Sequence, residues 1–218
     1  MPKHVPLNEE LIAYVDARRH DHADPLLAEL AERTAEATGG AAGMQIPGDQ
    51  GALFTMIVAS MGAKRCVEIG TFTGHSSICI ARGLPADGHL HCFDRSDEYT
   101  SIARAFWDKA GVSERITLHL GDALEELAKL SGEPIDFAFV DADKAGYPAY
   151  YDALLPRLRP GGLIAFDNTL WDGRIIDESD TSEDTLALRD LNDALTADDR
   201  VDNALLTIGD GIHLCRKR

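Results

Sequence analysis

From about residue 63 onward, short apolar runs alternate with longer segments in which apolar residues recur every three or four positions. Continuous apolar runs are typical of strands buried on both faces of a parallel sheet, and the longer spacing is typical of amphipathic helices. The alternation therefore predicts a parallel sheet covered by helices. The predicted strands are 65–69, 89–93, 115–120, 135–140 and 163–166, and the predicted helices between them are 74–82, 97–110, 123–130 and 148–158.

The end of the chain departs from this alternation. After a predicted helix over 183–195, strands over 201–208 and 212–216 are separated only by Gly209-Asp210-Gly211. So short a link permits a hairpin but not a parallel crossover. We therefore expect a Rossmann-like α/β fold with seven strands, mostly parallel, in which the last strand is antiparallel and helices cover both faces.

The first 62 residues are predicted to be helical, over 7–19, 24–38 and 49–61. Asp24 can cap the second helix, Pro25 suits its first position, and Gly39-Gly40 ends it. We expect one domain over 1–218, in which helices of residues 1–62 lie at the edge of the sheet or cover its site, and residues 63–218 form the α/β core.

Three segments are predicted to be irregular. Residues 39–48 are small and glycine-rich, which indicates a flexible loop, and 160–162 (Pro-Gly-Gly) indicates a turn. The acidic stretch 177–184 is the best candidate for a mobile loop.

Composition and charge limit the classes of partner and the cellular location that the sequence favours. The 218 residues are 44% hydrophobic, which is enough for one sizeable core. The net charge of −16 makes nucleic acid and anionic membranes unfavourable partners. The four cysteines have no metal-binding spacing, and the sequence shows neither a signal peptide nor an apolar stretch long enough to span a membrane. We therefore expect buried free thiols and a cytoplasmic protein.

Ionisable side chains follow two of the predicted strands at the point where each ends. Asp141 and Lys144 come after strand 135–140, and Asp167 and Asn168 come after strand 163–166. Ligands of open α/β sheets bind beyond the carboxyl ends of such strands. Three oxygen ligands from Asp141, Asp167 and Asn168 suit Mg²⁺, with Mn²⁺ or Ca²⁺ as alternatives. Helix capping by Asp141 and a simple turn at Asp167-Asn168 are the structural alternatives.

The segment VEIGTFTGHS at 67–76 predicts a strand, a glycine turn and a helix, which bring backbone N–H groups close to a ligand. A dinucleotide fingerprint that starts at Gly70 would need glycines where Phe72 and His75 stand, so a pyrophosphate cradle fits poorly. Asp94, at the end of the second strand, is placed to accept hydrogen bonds from ribose hydroxyls, and Ala123 to border an adenine. A nucleoside site without a diphosphate site favours S-adenosylmethionine over NAD, although the turn alone is also compatible with close packing.

These motifs together, VEIGTFTG, FVDADK and FDNTLWDG with the terminal hairpin, resemble the cation-dependent O-methyltransferases, which include the caffeoyl-coenzyme A and catechol enzymes. The resemblance covers roughly residue 40 to the C-terminus. It implies metal ligation by Asp141, Asp167 and Asn168, catalysis by Lys144 with Asp141, and a homodimer. It also implies S-adenosylmethionine binding by Met44, Glu68, Gly70, Thr71, Ser76, Asp94, Ala123 and Asp141.

The expected acceptor is a small phenol with two vicinal hydroxyls, because a divalent ion chelated by both oxygens lowers the pKa of the attacking hydroxyl. Lys144 then takes the proton or holds the developing oxyanion. Trp171 and Tyr147 are candidate walls of the acceptor pocket, with core packing as the alternative. The coenzyme A-type relatives carry a tyrosine- and arginine-bearing segment after the DNTLW motif, whereas residues 175–188 are acidic and lack tyrosine, which favours a free phenol over a thioester.

Two other functions fit the same motifs. The first is a metal-independent methyltransferase that acts on another small molecule. The second is a cofactor-binding scaffold without activity, which the ionisable groups at one edge of the sheet make less favourable.

Overall fold

The alternating pattern folds into one sheet whose strands match the predicted ones closely. The structure is a computed structural model that describes residues 5–218. The strands in this part of the chain are β1 (Arg65–Ile69), β2 (His89–Asp94), β3 (Ile116–Leu120), β4 (Ile135–Val140), β5 (Leu158–Phe166), β6 (Val201–Leu206) and β7 (Ile212–Lys217).

The strand order is β3-β2-β1-β4-β5-β7-β6, which confirms the predicted fold class. Strands β1 to β5 are parallel, and β7 is antiparallel to both of its neighbours. The order reverses between β1 and β4, which lie side by side. A crevice opens at such a reversal, beyond the carboxyl ends of the strands.

Helices cover both faces of the sheet because successive strand residues point to opposite sides. One apolar cluster contains Phe137 and Phe139 of β4, and the other contains Ala138 and Val140 of the same strand. The helices of the described chain are α1 (Glu9–Asp16), α2 (Pro25–Thr38), α3 (Gly48–Met61), α4 (His75–Gly83), α5 (Asp97–Ala110), α6 (Ala123–Lys129), α7 (Tyr147–Leu154) and α8 (Glu183–Ala197).

The N-terminal helices share their core with the sheet. Leu30 of α2 and Phe54 of α3 are fully buried in the same cluster as Phe137, and the Phe54 and Phe139 rings lie 4.6 Å apart between centroids. Helix α2 begins as predicted, since the Asp24 carboxylate accepts the Leu26 N–H at 2.9 Å. Helix α3 is thereby fixed across the crevice from the strand ends.

Three local predictions differ from the structure. The expected loop after α2 contains a 3₁₀ helix (Gly39–Met44). The expected Pro-Gly-Gly turn lies inside β5 as an irregularity, because Ile135 pairs with Leu158 but Phe137 pairs with Leu163. The helix predicted to reach residue 158 ends at Leu154 and is followed by a 3₁₀ turn (Leu155–Arg157) that contains a proline.

The acidic segment 177–184 is held by two arginines. Arg174 donates to Asp180 at 2.5 Å, and Arg189 of α8 donates to the carbonyls of Ile175 and Asp180 at 2.8 and 2.9 Å. These bonds argue against free movement of the segment. Across residues 5–218, we find no helix that has both the length and the apolar character to cross a bilayer.

Candidate active site

A cavity of about 1070 Å³ lies beyond the carboxyl ends of the central strands, at the reversal of strand order. Its walls come from the segments that follow β1 to β5, from residues 43–47 and Gln50 at the start of α3, from Asp184 of α8, and from the link between β6 and β7. Eleven of the residues predicted for the site line this cavity: Met44, Gly70, Thr71, Ser76, Asp94, Ala123, Asp141, Lys144, Asp167, Asn168 and Trp171. The structure therefore brings most of the predicted site residues together in one cavity, at the edge of the sheet where the sequence places them.

The glycine turn after β1 is held against both neighbouring strands. Gly70 has a φ of +89°, and a Cβ atom on it would lie 1.8 Å from the Asp141 carbonyl oxygen. On the other side, one Asp94 carboxylate oxygen accepts the N–H groups of Thr71 and Phe72, each at 2.9 Å. The turn thus needs glycine, and Asp94 shapes the turn in addition to its predicted role toward a ribose.

Glu68 lies behind the turn and is fully buried. Neither of its carboxylate oxygens has a hydrogen-bond partner among the described residues. Burial raises the pKa of Glu68 to about 8, and the nearby Ser76 and Cys92 side chains oppose this only in part. A buried carboxyl without a partner beside the turn is available to a cationic group, which fits the predicted part of Glu68 in S-adenosylmethionine binding.

Glu68 is expected to make the cofactor-free protein less stable as the pH rises. Because its pKa is 4.5 when exposed and about 8 in the fold, the folded protein keeps a proton that the unfolded chain releases between these values. Glu68→Gln should therefore flatten the fall in unfolding free energy between about pH 5 and pH 8 by more than about 1 kcal/mol. Urea unfolding at the two pH values measures this, and parallel curves for both proteins would contradict it.

The end of the cavity where a nucleoside is predicted to bind is formed by the ends of β2 and β3. Ala123 opens α6, and the Asp122 carboxylate caps that helix by accepting the Leu124 N–H at 3.0 Å. Arg95 pairs with Asp122 at 2.6 Å at the rim. Met44 lines the opposite wall with 58% of its surface exposed, which leaves it available to a bound ring system.

The Lys144 ammonium group joins the ends of β4 and β5. Its Nζ donates to the carboxylate of Asp141 at 3.0 Å, the amide oxygen of Asn168 at 2.5 Å and the hydroxyl of Tyr147 at 2.8 Å. Lys144 is only 8% exposed. The predicted catalytic lysine therefore lies between two of the predicted metal ligands, and the oxygens around it already hold one positive charge.

Asp167 is the most buried of the predicted metal ligands, with 3% of its surface exposed. Burial and the nearby Asp141 carboxylate raise the pKa of Asp167 to about 7. Within residues 5–218, no three or more His, Cys, Asp and Glu side chains are arranged to hold a metal ion. The predicted set has two carboxylates and one carboxamide, and these donors suit a hard divalent cation that would relieve the repulsion between Asp141 and Asp167. Metal ligation by these residues stays a prediction.

The two candidate acceptor walls are placed differently. Trp171 lines the cavity, and its buried Nε1 has no partner among the described residues. Tyr147 is fully buried, does not line the cavity, and donates its hydroxyl to the Asp167 carbonyl at 3.3 Å. Because Tyr147 lies behind the cavity wall and bonds to Lys144 and Asp167, we replace its predicted substrate contact with a supporting role for that lysine.

Gln50, Asp210 and Asp184 are polar side chains that line the cavity and lie outside the predicted set. Gln50 of α3 donates to Asp167, and Asp210 in the β6–β7 link accepts from Asn168 at 3.4 Å and from the Asp172 N–H at 2.5 Å. Asp184 of α8 also lines the cavity. A lone glutamine in a mostly apolar helix was the available signal for Gln50, whereas Asp210 was interpreted only as part of a hairpin link.

Known proteins match this chain over most of its length. The sequence profile described as O-methyltransferase matches residues 17–218. A caffeoyl-CoA O-methyltransferase from Populus kitakamiensis is 38% identical over 201 residues, which cover 88% of this chain and 86% of the relative.

Solved structures agree in fold. The O-methyltransferase from Bacillus cereus in complex with SAH superposes with a TM-score of 0.85 at 30% identity, covering 94% of this chain and 97% of that one. The O-methyltransferase TomG from Streptomyces achromogenes, in complex with SAM and involved in tomaymycin synthesis, has a TM-score of 0.85 at 28% identity and covers 95% and 96%. With the cavity and its residues, these matches establish that the chain belongs to the O-methyltransferase family.

Proposed function

We propose that this enzyme transfers the methyl group of S-adenosylmethionine to one hydroxyl of a small vicinal diphenol, with a divalent cation, Mg²⁺ before Mn²⁺ or Ca²⁺. One observation carries the proposal. Asp141, Lys144 and Asn168 meet at one point, beside buried Asp167 and in the same cavity as the glycine turn. The SAM and SAH complexes of relatives support the methyl donor.

The chain's own residues divide the work between two ends of the cavity. Asp94, Ala123 and Met44 would hold the nucleoside, and the glycine turn with Glu68 behind it would hold the methionine part. The sulfonium sulfur of S-adenosylmethionine carries the methyl group and is itself the leaving group. The protein therefore acts mainly by aligning the acceptor oxygen with that methyl group, which is an orientation effect.

Asp141, Asp167 and Asn168 would hold the cation, which supplies a lowered pKa at the attacking hydroxyl when it is bound. Lys144 lies beside these ligands and stabilises the developing oxyanion as an ammonium group, or takes the hydroxyl proton after giving up its own. Trp171 forms a wall for the acceptor ring. Tyr147, fully buried beneath Lys144, limits the positions that the ammonium group can adopt.

Charge at the acceptor end favours a free phenol over a coenzyme A thioester. Asp184 and Asp210 line the cavity there. Arg174 is bound to Asp180 and Ser182, and Arg189 to backbone carbonyls, so each would have to leave these partners to meet phosphate. Phosphates at this end would face carboxylates at close range.

An acceptor panel tests this proposal. With S-adenosylmethionine and Mg²⁺, we expect methylation of free vicinal diphenols to exceed that of caffeoyl-coenzyme A and of monophenols by at least about tenfold in kcat/KM, which corresponds to about 1.4 kcal/mol. Preference for the thioester would reverse the acceptor assignment. Tight cofactor binding with no transfer to any phenol would instead favour the scaffold.

We also propose a homodimer and a cytoplasmic location. On α1, Ile12 and Val15 lie three residues apart on one helix face and are 54% and 46% exposed, and such exposed apolar surface is suited to a partner. Light scattering should therefore give twice the chain mass of 23.7 kDa, and a monomer would contradict the dimer. All four cysteines are buried and free, which suits a reducing compartment.

A further inference from the structure

Gln50 extends from the first turn of α3 to the end of β5. It is fully buried, and its Nε2 donates to the Asp167 Oδ2 at 2.9 Å across 117 positions of the chain. The bond connects the N-terminal helices directly to one of the proposed metal ligands.

The Asp167 carboxylate is fixed at both oxygens. While Oδ2 accepts from Gln50, Oδ1 accepts the Asn168 N–H at 2.8 Å. Because only 3% of Asp167 is exposed, bulk water has little access to replace either bond. Loss of the Gln50 amide would therefore leave Oδ2 buried without its donor and free the carboxylate to rotate.

An amide suits this position for two reasons. It donates a hydrogen bond without adding a charge that would compete with a bound cation. It also has only one favourable orientation, since the reversed amide would place Gln50 Oε1 against a carboxylate oxygen. That Oε1 is buried and has no partner among the described residues, and a Cβ atom on Gly209 would lie 2.7 Å from it.

We propose that Gln50 is a positioning residue that holds Asp167 in the orientation in which this carboxylate binds the divalent cation, with Gly209 leaving room for the amide. This inference rests on the cation of the proposed function. It extends the site to α3 and to the β6–β7 link, and thus to elements outside the two strands that supply the ligands.

Calorimetric titration of Mg²⁺ into the full chain tests the proposal. Gln50→Leu is expected to weaken Mg²⁺ binding by about 10- to 100-fold, as loss of a partner that orients a ligand does, while S-adenosylmethionine affinity stays within about twofold. Gln45→Leu is the matched control, because Gln45 lines the same cavity and its Nε2 has no partner among the described residues. It should leave Mg²⁺ affinity unchanged.

Gly209→Ala tests the same contact without altering Gln50. It should weaken Mg²⁺ binding in the same direction. Gly62→Ala should not, although Gly62 has nearly the same φ, +57° against +56°, because nothing lies within 4 Å of a Cβ at that position. Wild-type Mg²⁺ affinity in Gln50→Leu would overturn the inference and leave the proposed function intact. A wild-type chain that binds no Mg²⁺ would overturn both.

Discussion

Gly70→Ala is expected to abolish S-adenosylmethionine binding and to lower the free energy of unfolding by roughly 3–5 kcal/mol. The added Cβ would lie 1.8 Å from the Asp141 carbonyl oxygen, and that atom belongs to the backbone. The Asp141 N–H is itself bonded to the Ile69 carbonyl at 2.8 Å, so the two strand ends cannot separate without breaking the sheet. The left-handed φ of +89° adds a strain that alanine does not relieve.

Gly62→Ala separates the strain of a left-handed φ from the steric contact with the Asp141 carbonyl. It carries a left-handed φ of +57° but meets no atom within 4 Å, so it should cost only about 1 kcal/mol and leave cofactor affinity unchanged. Chemical denaturation and a cofactor titration on both variants provide the comparison. Similar losses in the two variants would show that the conformation of the turn, and not its contact with Asp141, requires glycine.

Lys144→Met is expected to reduce kcat by about 10²- to 10⁴-fold, the range for loss of a positioned acid or base, while S-adenosylmethionine affinity stays within about twofold. Lys144 contacts Asp141, Asn168 and Tyr147, and of these three only Asp141 is also among the predicted cofactor-binding residues, so most of the cofactor site is left intact. The methionine stem preserves much of the packing, so the loss of the ammonium group dominates the effect.

Lys129→Met is the matched control. Lys129 pairs with Glu126 three residues earlier, as Lys144 pairs with Asp141, but its side chain is 67% exposed against 9% for Lys144. The control should keep full turnover, since an exposed ion pair of this kind contributes little to the stability of the fold. Parallel loss of turnover and cofactor affinity in Lys144→Met would indicate that Lys144 is structural.

The sequence predicted the sheet well because strand burial follows directly from apolar runs and short links. The Gly209-Asp210-Gly211 link required a hairpin, and the structure contains one. The Pro-Gly-Gly segment within β5 was predicted as a turn because local preference favours one. In the structure, the pairing of Leu158 with Ile135 outweighs this local preference for a turn.

The site was predictable where its residues follow strands and unpredictable where they come from elsewhere. Asp94, Asp141 and Asp167 end parallel strands, and parallel strand ends meet at one edge. Gln50 enters the site because α3 packs across that edge, and a helical pattern does not reveal where a helix docks. Tyr147 follows Lys144 by three positions, so the helix geometry places it under the lysine instead of in the cavity.

We propose that a divalent cation held by Asp141, Asp167 and Asn168 presents a vicinal diphenol to the methyl donor. The most direct test of this claim is methyl transfer from S-adenosylmethionine to a vicinal diphenol, with Mg²⁺, with EDTA, and with Mg²⁺ restored after EDTA. We expect transfer with Mg²⁺, loss with EDTA, and recovery on restoration in the wild type but not in Asp167→Asn. Transfer that is unaffected by EDTA would contradict the claim and reassign these three residues to structural or substrate contacts.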